Sequence, residues 1–278
     1  MNDGGQDPAL ARIASALERL APAAATLTDW LANPAYVRDA KGVRAVERLD
    51  APPLDLLRGI DAQKLAVTAN IGRLAQGFAA HDMLLWGARG MGKSALLRAA
   101  VAAAQDVPGA SLALVQVAPD ALDGLATLFA ELRLVSRNFL VFLDDLGFEG
   151  DDADGGRNLR SWLDGGVEAR PANVRLAVTS NRRAIVERHA AEQDDPLNPR
   201  DAVDDRLALA DRFGLSLGFH ACSQDDYLAI VAGYAEHFGL AWDRSEALEW
   251  ARRRGARSGR VAWHYVTDLA GRSGRALG

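Results

Sequence analysis

Short apolar runs alternate with stretches of helical periodicity over residues 58–221. The runs lie at 83–86, 112–117, 138–145, 174–181 and 214–220, and helices are predicted at 93–104, 120–132 and 157–168. Nearly continuous apolar strands separated by helices are typical of a parallel sheet covered on both faces. The pattern therefore predicts an α/β fold built on a mainly parallel, five-stranded sheet flanked by helices.

The segments on either side of this region show helical spacing instead. Apolar residues recur at Leu10, Ile13, Leu17 and Leu20, and prolines mark later turns before residue 58. Beyond residue 222, a capping sequence at 223–226 begins a helix to about 238, and helical patterns follow at 244–254 and 260–270. We predict an N-terminal helical extension (1–57), an α/β domain (58–221) and a C-terminal helical domain (222–278).

Composition narrows the function classes. The chain has 278 residues and a net charge of −5, which argues against non-specific nucleic-acid binding by the whole surface but leaves local patches open. Cys222 is the only cysteine, so no intramolecular disulfide can form. Neither a signal peptide nor a run of about 18 apolar residues is visible. We expect a cytoplasmic protein without a membrane partner.

The first apolar strand leads into a glycine-rich stretch, LLWGARGMGKSAL, that matches G-x-x-x-x-G-K-[ST]. Glycines allow successive backbone N–H groups to turn towards phosphates, and the following helix adds a positive N-terminus. A lysine at this position reaches the β- and γ-phosphates, and the serine hydroxyl ligates Mg²⁺. The predicted nucleotide-binding residues are Gly87, Ala88, Arg89, Gly90, Met91, Gly92, Lys93, Ser94 and Ala95.

Two later strands end in polar side chains suited to phosphate chemistry. Asp144 follows the strand at 138–143 and is predicted to hold Mg²⁺ together with Ser94, while Asp145 is the candidate base for an attacking water. Asn181 ends the next strand, where it either contacts the γ-phosphate or the water, or is a plain turn residue. Because P-loop kinases seldom need the second acid, the aspartate pair favours hydrolysis.

The ordered set of motifs resembles the AAA+ ATPases, and more narrowly the bacterial family named domain of unknown function 815. The resemblance covers roughly residues 55 to 272. It is carried by LLWGARGMGKSAL, FLDDLGFE, LDGGVEARPANV, TSNRR, ADRFGL, HACSQDDYLAI, VAGYAEHFGL and SGRVAWHYVTDLAGR. The resemblance implies a nucleotide-binding α/β domain with a C-terminal helical lid, and ATP rather than GTP as the nucleotide.

The resemblance also implies roles for individual residues. Asn181 corresponds to the sensor-1 position, and Arg212 resembles an arginine finger that completes a neighbouring subunit's site, which makes the protein a homo-oligomer. Arg206 is a rival for the finger, and an ordinary helix-end arginine is the alternative for Arg212. Arg260 resembles the sensor-2 arginine of the lid, with Arg257 as the alternative.

A shorter segment, Arg58-Gly59-Ile60-Asp61, resembles the part of AAA+ proteins that packs around the adenine, which adds Gly59 and Ile60 to the nucleotide-binding residues. One departure is the pair Asp144-Asp145, where many AAA+ enzymes have Asp-Glu. The shorter carboxylate of Asp145 is consistent with slow hydrolysis.

Two functions share this site, and a third is less well supported. The first is an oligomeric Mg²⁺-dependent ATPase that remodels or loads an unidentified protein or nucleic-acid client. The alternative is a slow or non-hydrolysing nucleotide-gated switch that binds a protein partner. A small-molecule kinase would need neither Asn181 nor Arg212. The arginines at 252–254, 272 and 275 form either a nucleic-acid face or, as the sparse aromatic residues favour, a solvated helix face.

Overall fold

The computed structural model describes residues 28–146, 170–181 and 211–277. The chain divides into two units, Met1–Trp30 and Leu31–Gly278, and the elements described here all belong to the second. The predicted helix at 157–168, the loop at 191–206 and Arg206 lie outside the described residues.

The centre of the unit is one seven-stranded sheet with the strand order β2-β1-β4-β5-β6-β3-β7. Its strands are β1 (Ala35–Asp39), β2 (Gly42–Val46), β3 (Met83–Gly87), β4 (Leu112–Val117), β5 (Asn138–Leu143), β6 (Val174–Ser180) and β7 (Leu215–Phe219). Only the β1–β2 pair is antiparallel. All five residues of β3 are buried, and since alternate side chains point to opposite faces, both faces of the sheet are covered there.

The prediction of five strands is wrong by two, because β1 and β2 form a hairpin where helix was expected. Tyr36, Val37, Val43 and Val46 are aromatic or β-branched residues, which favour strands. The Asp39 Oδ1 atom accepts hydrogen bonds from the N–H groups of Lys41 at 2.8 Å and Gly42 at 3.2 Å, and these bonds close the hairpin. The hairpin extends the sheet through parallel pairing of β1 with β4.

Six α-helices lie among the described residues: α1 (Asp61–Ala75), α2 (Lys93–Gln105), α3 (Leu125–Arg133), α4 (Gln224–His237), α5 (Arg244–Arg253) and α6 (Gly259–Arg272). The sequence reading missed α1, although its buried residues Val67, Ile71 and Leu74 fall at helical spacing. The segment at 119–124 is a 3₁₀ turn that precedes α3. The helices α4, α5 and α6 form the predicted C-terminal helical region, while the boundaries at 57/58 and 221/222 stay predictions.

None of the described helices combines the length and the apolar character that crossing a membrane would require.

A buried ion pair joins two neighbouring strands at the amino edge of the sheet. The Arg170 guanidinium donates to one carboxylate oxygen of Asp82, and the other oxygen accepts the Leu176 N–H at 2.7 Å. The side chains of Arg170 and Asp82 are only 19% and 10% exposed. This pair therefore fixes the start of β3 against the start of β6.

We expect Asp82→Ala to destabilise the fold, because it leaves a buried guanidinium without its carboxylate. The loss of one partner of a buried pair costs about 3–5 kcal/mol of unfolding free energy. Urea unfolding followed by circular dichroism measures it. The matched control is Asp50→Ala, whose carboxylate pairs with Arg98 in full contact with solvent and whose loss should leave stability near that of the wild type. Equal losses in both variants would contradict a structural role for the buried pair.

Candidate functional site

The glycine-rich stretch forms the turn between β3 and α2, as its strand–helix context predicted. Gly90 and Gly92 have φ values of +75° and +87°, which non-glycine residues rarely adopt. Gly87 is fixed by a second constraint, since a Cβ atom there would lie 2.2 Å from the Phe219 carbonyl oxygen. That same oxygen accepts the Ala88 N–H at 2.8 Å. The loop therefore needs glycine both for its turn and for its close approach to β7.

Lys93, the first residue of α2, directs its ammonium group back under this loop. Its Nζ atom donates to the carbonyl oxygens of Gly87 and Ala88, each at 2.9 Å, and to Asn181 Oδ1 at 3.0 Å. The residue is only 5% exposed. Burial lowers the pKa of Lys93, while the charges of Asp145 and Asp144 act in the opposite direction. Three oxygen acceptors thus hold a cation that has little contact with water.

Two hydroxyl groups contact the first aspartate, Asp144. The hydroxyl groups of Ser94 and Thr179 both donate to Asp144 Oδ1, each at 2.6 Å. The Thr179 hydroxyl also accepts the N–H of Asp145 at 2.8 Å. Thr179 thus connects the two aspartates to β6. The sequence indicated no role for Thr179, because no motif marks a buried threonine two residues before Asn181.

The second aspartate is held from both sides. The Asn181 amide donates to Asp145 Oδ1, and Arg89 Nη2 lies 3.5 Å from Asp145 Oδ2. Asp145 itself has a φ of +55°, a left-handed conformation that aspartate tolerates better than most residues. Its side chain is half exposed, in contrast to the buried surroundings of Lys93. The pairing with Arg89 was not predicted, although both residues were expected in the site.

The C-terminal helices reach the same loop through a backbone contact. The Arg260 N–H donates to the Gly90 carbonyl oxygen at 3.2 Å, and Ser258 caps α6 by accepting the Val261 N–H at 3.2 Å. A Cβ atom on Gly90 would lie 2.9 Å from Ser258 Oγ. The charge of Arg260 also lowers the pKa of Lys93, after burial and the two aspartates as the larger influences. The family resemblance implied a nucleotide contact for Arg260, which stays a prediction, and it did not indicate the Gly90–Ser258 contact.

The segment before α1 lies between the loop and α4. Ile60 is buried, and its Cδ1 atom is 3.8 Å from the position of a Cβ atom on Gly92. Gly59 has a φ of +76° and faces Asp226 of α4 at a Cβ distance of 3.4 Å. The structure therefore places Ile60 beside the glycine-rich loop and Gly59 against α4, while their role around an adenine stays a prediction.

Arg212 is the one predicted site residue that lies apart from this cluster. It precedes β7, and Gly214, two residues further along, lies close to His81 just before β3. Because β3 and β7 are parallel, Arg212 is at the amino edge of the sheet, whereas the glycine-rich loop is at the carboxyl edge. At about 3.3 Å per strand residue, roughly 20 Å of sheet separates the two edges.

The side chains of Ser94 and Asp144 are suited to binding Mg²⁺. Oxygen atoms of Ser94 and Asp144 converge at 2.6 Å, and oxygen ligands are those that Mg²⁺ prefers. Among the described residues no group of three or more His, Cys, Asp and Glu side chains forms a metal site. A cation held by Ser94 and Asp144 would therefore take its remaining ligands from water or from a bound phosphate, as Mg²⁺ commonly does.

Residues 31–273 match the family described as "Protein of unknown function (DUF815)". The chain belongs to this family. No curated protein matches the sequence significantly.

Solved structures share the fold of this DUF815 chain. One is the RuvB Holliday junction branch migration motor of Thermotoga maritima, with 16% sequence identity, a TM-score of 0.51, and coverage of 82% of this chain and 68% of that chain. Another is the Orc1 protein of Aeropyrum pernix in complex with DNA, with 16% identity, a TM-score of 0.54, and coverage of 81% and 66%. At such identities the likeness concerns the fold. It confirms the predicted mainly parallel α/β class.

We expect Gly90→Ala to separate the DUF815 glycine-rich loop from α6, because the new Cβ atom would press on Ser258 and Arg260. The Arg260 amide should then exchange its hydrogen faster, as measured by hydrogen–deuterium exchange. Gly109→Ala is the matched control, since Gly109 has a similar φ of +82° but no atom within 4 Å of a new Cβ. Unchanged exchange at Arg260 in Gly90→Ala would show that the contact does not hold the helix.

Proposed function

We propose that this chain is an AAA+ ATPase that hydrolyses ATP with Mg²⁺ and uses the resulting conformational change to remodel or load a macromolecular partner. The observation that carries the proposal is a single hydrogen-bonded cluster. Lys93 contacts Asn181, Asn181 contacts Asp145, and Ser94 shares Asp144 with Thr179. The lysine, the serine, both aspartates and the asparagine expected for binding and cleaving a phosphoanhydride are joined within that cluster, with Thr179 as the link between the aspartates. The choice of ATP over GTP rests on the family resemblance.

Phosphate binding begins with an exchange of partners at Lys93. The ammonium group trades its bonds with the Gly87 and Ala88 carbonyl oxygens for bonds with β- and γ-phosphate oxygens. Burial strengthens this attraction, because few water molecules screen the charges. Backbone N–H groups of the loop and the N-terminus of α2 donate to the remaining phosphate oxygens.

The metal site uses side chains that are already adjacent. Ser94 and Asp144 would hold Mg²⁺, Asp144 directly or through water, and Thr179 fixes the orientation of the Asp144 carboxylate. A Mg²⁺ ion held by these residues would neutralise negative charge that develops on the phosphate oxygens.

Hydrolysis assigns a separate task to the second aspartate. Asp145 accepts a proton from a water molecule as that water attacks the γ-phosphorus and the bond to the bridging oxygen breaks, which yields ADP and inorganic phosphate. Asn181 contacts both Lys93 and Asp145, so it can align the water between them. Arg260 adds positive charge from the helical lid.

Arg212 completes the site of a neighbouring copy in this proposal. Its distance from the loop of its own chain supports action in trans, since an arginine side chain cannot cross about 20 Å of sheet. A guanidinium that arrives from another subunit stabilises charge in the transition state. The proposal therefore requires a homo-oligomer.

The nucleotide-gated switch is the second candidate, and the engagement of Asp145 favours it. Both carboxylate oxygens have partners, Asn181 on one and Arg89 on the other. Before it can accept a proton, the carboxylate must give up part of this pairing. A turnover below roughly one per minute with tight ATP-dependent capture of a partner would favour the switch, since typical enzymes turn over at about 1–10³ s⁻¹.

We expect phosphate release from ATP to rise faster than linearly with protein concentration, and to vanish in both Lys93→Ala and Arg212→Ala. Mixing the two inactive variants should restore part of the activity. In a mixed oligomer, the intact loop of the Arg212→Ala subunit can meet the intact Arg212 of the Lys93→Ala subunit. The measurement is phosphate release for each variant alone and for mixtures at constant total concentration.

Lys41→Ala and Arg48→Ala are the controls, because both remove an exposed positive charge far from the loop in sequence. Phosphate release proportional to protein concentration, with no gain in activity when the two variants are mixed, would contradict a site shared between subunits. Binding of ATP without any turnover in the wild type would leave the switch as the function.

We expect Arg89→Ala to raise the turnover number by up to about fivefold, because it releases Asp145 from an exposed ion pair that contributes little free energy. Steady-state kinetics measure the change, and Arg98→Ala, which breaks another exposed pair at 3.5 Å, serves as the control. A fall in turnover in Arg89→Ala alone would mean that Arg89 assists the reaction, for example by contacting phosphate.

A further inference from the structure

The C-terminal end of α5 and its connection to α6 carry the densest positive charge among the described residues. The sequence RRRGARSGR at 252–260 contains five arginines and no acidic residue. We name residues 252–257 the arginine loop. All four of its arginines are exposed, and Gly255, with a φ of +66°, turns the chain beyond the helix end. The loop stands out because the whole chain has a net charge of −5.

The structure divides the C-terminal arginines into two groups. Arg272 pairs with Glu246 at 2.7 Å and Asp268 at 3.0 Å, while Arg275 donates to the carbonyl oxygens of residues 238 and 239. These two arginines support the packing of the helical region. By contrast, the arginines of the loop form no ion pair with a carboxylate in the described part of the chain. Their charges are available to a partner.

Trp250 holds two of these guanidinium groups in place. The Arg254 and Arg253 guanidinium carbons lie 4.8 and 5.8 Å from the centre of its ring. Stacking on an aromatic face uses the plane of a guanidinium and leaves its N–H donors at the edge. Such donors match the paired oxygens of a phosphate. Contact with the indole thus restricts the arginine side chains before binding, so they lose less conformational entropy when they bind a partner.

We propose that the arginine loop binds the phosphate backbone of a nucleic acid, and that this binding is transmitted to the glycine-rich loop through Ser258 and Arg260. The transmission rests on the proposed ATPase function, whereas the binding does not.

A nucleic acid fits this surface better than an acidic protein segment does. At the centre of protein interfaces, arginine usually accompanies large apolar or aromatic anchors, and residues 252–257 add only glycine and alanine to their arginines. Contacts to a phosphate backbone need charge and hydrogen-bond donors but no apolar anchor. The C-terminus of α5 also favours positive charge, but that preference ends within the last turn, and Arg257 lies beyond it.

The path to the nucleotide site is short. Arg257 is followed directly by Ser258, which is buried, caps α6 and lies against Gly90. Two residues further, the Arg260 N–H donates to the Gly90 carbonyl oxygen. A displacement of the loop by a bound strand therefore changes the contact between the lid and the glycine-rich loop.

Binding is tested with the full chain, without nucleotide, by fluorescence anisotropy of a labelled oligothymidine and a labelled DNA duplex at several salt concentrations. The variant Arg252→Ala/Arg253→Ala/Arg254→Ala should bind more weakly. Its slope of log affinity against log salt should be shallower by about 2–3, because each lost phosphate contact removes about 0.7–0.9 from the slope. The control Arg44→Ala/Arg48→Ala/Arg244→Ala removes the same charge from other exposed positions and should retain the wild-type slope.

Three outcomes would overturn the binding proposal. They are the absence of wild-type binding, an equal loss in both triple variants, and displacement of the DNA by polyglutamate at equal charge concentration, which would indicate an acidic protein as the partner. Urea unfolding establishes that both triple variants fold. The variant Arg252→Lys/Arg253→Lys/Arg254→Lys keeps the charge, so it should retain most of the slope.

Transmission is tested by phosphate release with and without the same DNA. DNA should stimulate the wild type by about 2- to 30-fold, the range that a helix-capping contact can transmit. The Arg252–Arg254 alanine variant should keep the basal rate and lose the stimulation. Gly90→Ala should still bind DNA without being stimulated, and Gly109→Ala should behave as the wild type. Binding without stimulation in the wild type would overturn the transmission, whereas an inactive wild type that binds DNA would instead count against the ATPase.

Discussion

The arrangement of the site depends on how a lysine ammonium group is kept charged while it is almost completely buried. Removing a cation from water is expensive unless oxygen atoms replace the lost hydration. Lys93 obtains two such atoms from the glycine-rich loop and the third from Asn181. The loop can offer its carbonyl oxygens only because its glycines turn the backbone, and Asn181 is within reach only because β6 is paired with β3. The register that sets Trp86 opposite Ser180 brings the ends of both strands to the same level.

The same register connects the lysine to the acidic residues. Thr179, the residue before the end of β6, contacts both Asp144 and the backbone of Asp145. Slipping β6 by one residue would turn Thr179 to the other face of the sheet and separate the aspartates from Ser94. The Asp82–Arg170 pair at the opposite edge joins the same two strands. A buried ion pair remote from the chemistry thus contributes to the alignment of the site, because it opposes such a slip.

Much of this could be predicted from local pattern. The apolar runs gave all five strands of the α/β core, and the glycine-rich loop with its lysine and serine follows a spacing that can be recognised in any sequence. Residues 35–46 were misassigned because two five-residue strands are too short to outweigh the helical periodicity before them. Thr179 and Ser258 were missed for a different reason. Their importance comes from long-range contacts, to Asp144 and to Gly90, which no periodicity encodes.

The contact between α6 and the glycine-rich loop also limits how strongly the C-terminal helices and that loop can influence each other. The first N–H groups of an α-helix have no partner within the helix. In α6, Ser258 supplies one acceptor and Gly90, from the glycine-rich loop, supplies another. A capping interaction contributes about 0.5–2 kcal/mol, so a change of the loop that breaks it alters a conformational equilibrium of α6 by about 2- to 30-fold. By reciprocity, any ligand that shifts this equilibrium of α6 would change the affinity of the loop for a ligand of its own by the same factor. A coupling of this size suits regulation of a site that is already assembled, and it is too small to create an active site from an inactive one.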